Sequence, residues 1–250
     1  MPRFVFPIAI AFLCLAVVIG CAGRKNTEDD SLAFDLSKLD PKSATAIEQI
    51  RALGGKVEID DKETPPVISV VLRGSRVKND HLTALANLTN LQALILEGTN
   101  VSDPGTEHLK DLKGLRRLNL NETFVTNTGL KNIAGLTQLQ ELKLGHTRIG
   151  NDGLELLQGL VQLKKLNLSE NQLSDSGVKN LTSLKGLEQL HLWNTQISDA
   201  SIQYFKELKS LKELYVYKTS ITDEGIKKLK EANPSLKIFN GEKNKRRPNF

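Results

Sequence analysis

From Leu91 onward the chain repeats with a period of 24 residues: segments 91–114, 115–138, 139–162, 163–186 and 187–210 align without a gap. Residues 67–90 fit the same frame upstream, with Val67 in first place, and 211–235 fit downstream with one inserted residue near Pro234. Each unit reads Leu-x-x-Leu-x-Leu-x-x-Thr-x-Ile-x-Asp-x-Gly-Leu-x-x-Leu-x-x-Leu. In one copy the places are held by Leu187, Leu190, Leu192, Thr195, Ile197, Asp199, Ile202, Phe205 and Leu208. The first half alternates apolar and polar residues, as a short strand does, and the second half spaces apolar residues as a helix does. A unit this short cannot bury its own apolar edge, so consecutive copies must stack.

On these residues the chain resembles the leucine-rich repeat family over 67 to about 240. The stretch Thr222-Asp223-Glu224-Gly225-Ile226 is most similar to F-box-associated (RNI-like) repeats. The resemblance implies an α/β, right-handed solenoid: a horseshoe arc with parallel strands on the concave face and helices on the convex face. One departure is the ninth position of the unit, where many family members carry Asn or Cys and this chain has mostly Thr, with Ser75 and Asn171 as variants. A Thr hydroxyl there is expected to donate to the backbone of the next unit and form a ladder. The Asp or Asn at position 13, such as Asp103, Asn127 and Asp199, suits a helix N-cap. The Gly two places later is expected to permit a tight first turn.

Stacked strands at about 4.8 Å spacing would line the inner face. Unit positions 3, 5, 7 and 8 should point outward from it, and positions 4 and 6 into the core. The middle units then offer Arg117, Glu141, Lys143, His146 and Asn167, and the last ones His191, Trp193, Asn194, Tyr215, Tyr217 and Lys218. The sole Trp and two of the three Tyr fall on two adjacent strands. Trp and Tyr are enriched where interfaces concentrate their energy. The competing explanation is that aromatic residues suit strands and stabilise one another across them. The candidate ligand-binding set is therefore Lys143, His146, Asn167, His191, Trp193, Asn194, Tyr215, Tyr217 and Lys218, with Trp193 facing Tyr217 and His191 facing Tyr215.

Residues 43–66 read as an N-terminal cap. Ala46, Ile47, Ile50, Ala52 and Leu53 have helical spacing, Gly54-Gly55 ends the helix, Val57 and Ile59 alternate, and Pro65-Pro66 joins the cap to the repeats of 67–240. Ahead of it, residues 4–20 carry no charge and follow Arg3, as in a secretory signal peptide over 1–20. Val18-Ile19-Gly20-Cys21 resembles the lipobox of bacterial lipoproteins. That implies a lipidated Cys21 as mature N-terminus, carrying acyl chains such as palmitate, on a tether of residues 21–42. An uncleaved membrane anchor and plain secretion are the alternatives. Each places the repeats outside the cytoplasm, lipid anchoring at the bacterial cell envelope being the expected one.

Aromatic residues are only 5% of the chain, so Leu, Ile and Val must fill the core. Both cysteines, Cys14 and Cys21, lie in the leader, which leaves neither a disulfide nor a Cys-based metal site for the body. The formal charge of +5 is concentrated in Arg3 and in the basic tail 241–250, so it argues poorly for nucleic acid. A solvated terminus is the simpler reading of that tail. No nucleophile elbow, phosphate loop or His-Glu-x-x-His helix is present. The expectation is a non-enzymatic module without cofactor or metal, binding a protein or glycan on its concave face. Its rivals are a self-assembling structural envelope protein and, on the repeat subtype alone, an F-box-like adaptor in protein degradation.

Overall fold

The computed structural model describes residues 35–60, 62 and 67–241. The leader with Cys21, most of the tether, the Pro65-Pro66 joint and the tail beyond Gly241 lie outside the described residues. Among the described residues no helix is long and apolar enough to cross a membrane.

One sheet of nine strands runs through the repeats in sequence order: β1 (Lys56–Asp60), β2 (Val67–Val71), β3 (Leu91–Ile95), β4 (Arg117–Asn119), β5 (Glu141–Lys143), β6 (Lys165–Asn167), β7 (Gln189–His191), β8 (Glu213–Tyr215) and β9 (Lys237–Phe239). β1 pairs antiparallel with β2, and every later pair is parallel. From Ser69 opposite Ala93 onward, pairing joins equivalent unit positions, as Leu118 with Leu142 and His191 with Tyr215. The extra residue before Leu236 does not disturb this register. Leu236 N–H bonds to the carbonyl three residues back, as Leu211 does, yet Lys237 pairs with Glu213 one unit earlier.

The leucines of the repeat form the core. Leu118, Leu120, Leu142, Leu144, Leu166 and Leu168 are buried from the strand side; Leu130, Ile133, Leu154, Leu157 and Leu181 meet them from the helical side. Burying a side chain of this size is worth roughly 1.5–3 kcal/mol against leaving it in water. The helical halves are short and vary from Asn127–Ile133 as an α-helix to Asn79–Asn87 as a 3₁₀ helix. At the N-terminal edge helix α1 (Pro41–Ala52) turns Ala46, Ile47 and Ile50 onto the first unit. It starts earlier than residue 43 because Asp40 caps it, accepting from Lys42 and Ser43 N–H, with Pro41 in the first turn. Ser43 Oγ also donates to Asn87 carbonyl, tying cap to repeat.

Three details correct the reading of the turns. The Thr column does not donate to the backbone of the next unit: Thr99, Thr123, Thr147, Thr195 and Thr219 each donate to the carbonyl three residues earlier in their own unit. In this column units are bridged at Asn171, which donates to Leu144 carbonyl and accepts from Ile149 N–H and from Thr147 Oγ1 at 2.9 Å. A hydroxyl does not reach the neighbouring backbone across the strand spacing; the longer amide does, and meets the Thr147 hydroxyl on the way.

The position-13 carboxylates also do not cap their own helices. Asp103 accepts from Thr126 N–H and Thr126 Oγ1, both at 2.7 Å, and from Gly129 N–H at 3.0 Å, all in the following unit. Thr126 Oγ1 in turn accepts from Thr128 N–H, so a helix N–H is relayed through the hydroxyl to the carboxylate. Asp199 with Thr222 and Asp175 with Ser198 repeat the arrangement.

The Gly at position 15 follows from this: a Cβ on Gly129 would lie 2.5 Å from Asp103 Oδ1. The glycine makes room for the carboxylate of the unit before. His81 can occupy that place in the first repeat because no repeat precedes it. Where Ser201 occupies it, the side-chain hydroxyl itself donates to Asp175.

Candidate functional site

The inner face is built by four columns of side chains, one from each of unit positions 3, 5, 7 and 8. Because the strands are in register, like positions stack at one strand spacing. At the C-terminal end this puts rings in contact. His191 stacks on Tyr215 with centroids 3.9 Å apart, and Tyr215 on Phe239 at 4.3 Å, making a ladder in the position-5 column. Beside it Trp193 and Tyr217 lie parallel at 4.9 Å in the position-7 column. Both predicted pairs are therefore formed. Phe239 was not among the predicted residues; its place opposite Tyr215 becomes visible only once the inserted residue near Pro234 is known not to shift the strand.

The expected exposure of the position-5 column is corrected. Lys143 is 4% exposed, Asn167 7%, His191 1% and Tyr215 9%. These side chains lie on the inner side but are covered by their neighbours, Lys143 by its pairing with Glu141, Asn167 by Ser169, and His191 and Tyr215 by stacking on each other. Tyr215 hydroxyl is held by Glu213 at 3.1 Å, and Glu213 also accepts from Gln189 at 2.8 Å. Burial and then the charge of Lys143 push the His191 imidazole down to about 3, so it is neutral. Burial likewise lowers Lys143, opposed by Glu141 at 3.2 Å. Trp193 and Tyr217 are half-buried, and His146, Asn194 and Lys218 are exposed.

Position 8 carries a feature that no residue type announces. Glu122, His146, Glu170, Asn194 and Lys218 all have φ between 52° and 57°, the left-handed region. Each lies three residues beyond its strand; Glu122 N–H bonds to Gly145 carbonyl and His146 N–H to Ser169 carbonyl. Gly74 and Gly98 fill the same place in the first two units.

Between these ends the face is polar. Asn121 accepts from Gly145 N–H at 2.7 Å, and Asn167 accepts from Ser169 N–H and Oγ at 3.0 and 2.6 Å. From β1 to β7 runs a groove of about 420 Å³, which the prediction of site residues missed apart from Lys143. Ser69, Ala93 and Ile95 line one end, Arg117, Asn119, Glu141, Lys143 and Lys165 the middle, and Gln189 the far end. The signal was present in the position-3 column, where Arg117, Glu141 and Lys165 succeed one another. It carried no weight without the groove's outline. The sequence set thus divides: Lys143 lines the groove, Asn167 belongs to the polar middle, and His146 stands outside both on the rim. The other six gather at the aromatic end.

Among the described residues no cluster of His, Cys, Asp or Glu is placed to hold a metal. The arrangement offers aromatic edges, amides and charges over a long surface, which suits holding an extended partner.

The model of a leucine-rich repeat region matches residues 67–241. Among solved structures, an internalin (inlF) from Listeria monocytogenes aligns with a TM-score of 0.55 at 25% identity, covering 64% of this chain and 44% of its own. An internalin C2 (inlC2) from the same organism aligns with a TM-score of 0.52 at 29% identity, covering 67% of this chain and 69% of its own. This chain thus matches less than half the length of the first. No curated protein matches in sequence. With nine strands in register, the family model spanning the whole repeat region and internalins sharing its fold, this chain belongs to the leucine-rich repeat family.

Proposed function

We propose that this chain is a binding module held at the cell envelope, and that it grips a protein partner on its inner face around Trp193 and Tyr217. The observation that carries the reading is the parallel Trp193–Tyr217 pair, half-buried and bordered by exposed Asn194 and Lys218. Such a pair is rigid, so little side-chain freedom is lost when a partner covers it, and its edges stay available for apolar contact. The stacked ladder of His191, Tyr215 and Phe239 runs alongside it in the neighbouring column, with His191 and Tyr215 buried. The leucine-rich repeat fold supports a protein partner. The apolar leader ending in Val18-Ile19-Gly20-Cys21 supports a lipid anchor on Cys21.

The test replaces Trp193 and Tyr217 together by Ala. Capture of the partner from envelope extracts should fall by at least about tenfold, two lost anchors at 1–2 kcal/mol or more each. Far-ultraviolet circular dichroism should keep its native shape. Undiminished capture by the double variant refutes this site. For the anchor, intact mass of the membrane-extracted protein should begin at Cys21 with acyl chains added; a mass retaining Met1 refutes it.

A further inference from the structure

The groove runs along the inner face from Glu58 on β1 to Gln189 on β7; none of the stacked rings lines it, and it has its own chemistry. Its floor changes character along its length. At β2 and β3 it is uncharged, with small Ser69 and Ala93 beside apolar Ile95; at β4 to β6 it is cationic, with Arg117, Lys143 and Lys165. Glu141 stands between Arg117 and Lys165 on the neighbouring strands and is paired with Lys143. At the centre of the groove one carboxylate therefore sits among three cations, with Glu58 at the β1 end and Glu97 acting on Lys143 from farther off. Arg73, also on the wall, is engaged with Glu97 at 3.6 Å. The Lys143 ammonium is held almost out of water in this open groove. A buried cation gains from any further carboxylate brought within reach.

We infer that this groove takes an extended acidic segment of a protein partner, with its carboxylates set against Arg117 and Lys165 and an apolar side chain over Ala93 and Ile95. The inference rests on the reading of the inner face as the binding surface. Length follows from geometry. From β2 to β7 there are five strand spacings of about 4.8 Å, and an extended chain advancing about 3.3 Å per residue covers them in roughly seven residues. A peptide fits better than a nucleic acid, whose phosphates would recur along the whole groove. They would meet Glu58 and the uncharged end as well as the cations, whereas a peptide can place charge at the centre alone.

The experiment pans a random heptapeptide library against the purified full-length protein. Selected peptides should carry Asp or Glu at the centre and an apolar residue on one side. Their affinity should fall about tenfold or more in Arg117→Glu/Lys165→Glu, since facing like charges replace attraction. It should also weaken between about 50 and 500 mM salt, as screening requires. Lys206→Glu/Lys209→Glu makes the same charge change on the exposed helical side and should leave binding unaltered. The inference is overturned by failure to select any peptide, by peptides without acidic excess, or by equal binding to the groove variant. A thymidine oligonucleotide that competes as well as the peptide also overturns it, because the groove then takes any anion. A Trp193→Ala/Tyr217→Ala protein that still captures the partner counts against the aromatic site only. Normal peptide binding by the Arg117→Glu/Lys165→Glu protein counts against the groove only.

Discussion

At the scale of single residues, the two most informative side chains are buried ones on a face expected to be open. Lys143 keeps its charge at a cost that Glu141 only partly offsets. Replacing it by Met, similar in length and neutral, should raise stability by about 1 kcal/mol or leave it unchanged, because well-packed apolar substitutes for buried ions are commonly tolerated. Urea denaturation checks this; a loss above about 2 kcal/mol would show the ammonium to be structural. His191 tests burial in another way. Its folded value of about 3 lies below the unfolded 6.5. The unfolded chain therefore binds the proton first, and stability falls as pH drops from about 6.5 towards 3, by at most about 1.4 kcal/mol per pH unit. His191→Phe, which keeps a ring on Tyr215, should flatten that part of the stability profile measured by urea at pH 4.5 and 7. Glu122 tests the backbone. Glu122→Val should cost about 1–2 kcal/mol, since a β-branched residue fits the left-handed region poorly, while Glu122→Gly should cost nothing.

At the scale of the repeat element, the period of the leucines made strand, turn and helix readable, because each face of each segment is set by what it must bury. It also placed Trp193 against Tyr217 and His191 against Tyr215, since register follows from identical unit length. Three things were not readable. Which helix Asp103 caps depends on where its carboxylate reaches in space, one unit on. The left-handed turn at position 8 is enforced by bonds such as that from Glu122 N–H to Gly145 carbonyl, and Glu, His and Lys do not advertise it. The burial of Lys143 and His191 depends on the contacts each makes in space, with Glu141 and with the Tyr215 ring. Here the capping relay makes a clear prediction: Asp103→Ala should destabilise by about 1–2 kcal/mol, as lost caps do. Gly129→Ala should destabilise through collision with the same carboxylate. In the double variant the tightest collision is gone and only the contact with Val125 Cγ1 at 2.9 Å and a lesser one with Thr106 remain, so the combined loss should be smaller than the sum of the two single losses, as read from thermal or urea unfolding.

At the scale of the whole molecule, a stack of units has two exposed ends, and α1 and β1 cover one of them. Ile47 and Ile50 are fully buried against the first repeat. Ile47→Asp/Ile50→Asp should strip this cover and open the apolar edge, with soluble aggregates in size-exclusion chromatography as the readout. A monomer of native shape would mean that the repeats need no cap. The location of the groove also belongs to this scale: Arg117 and Lys165 could be named from the sequence, but that they wall one cleft with Ala93 and Ile95 is a property of the assembled stack.

The carboxylate relay has a direction. Asp103 completes the helix start of the unit after it, and Asp175 and Asp199 do likewise; the accepting atoms always come from the earlier residue. A chain emerging amino end first therefore presents each new helix with its acceptor already in place. The same units made in the reverse order would each wait, with bare N–H groups, for a neighbour not yet synthesised. Growth of the solenoid has an arrow, and it points the way the ribosome reads.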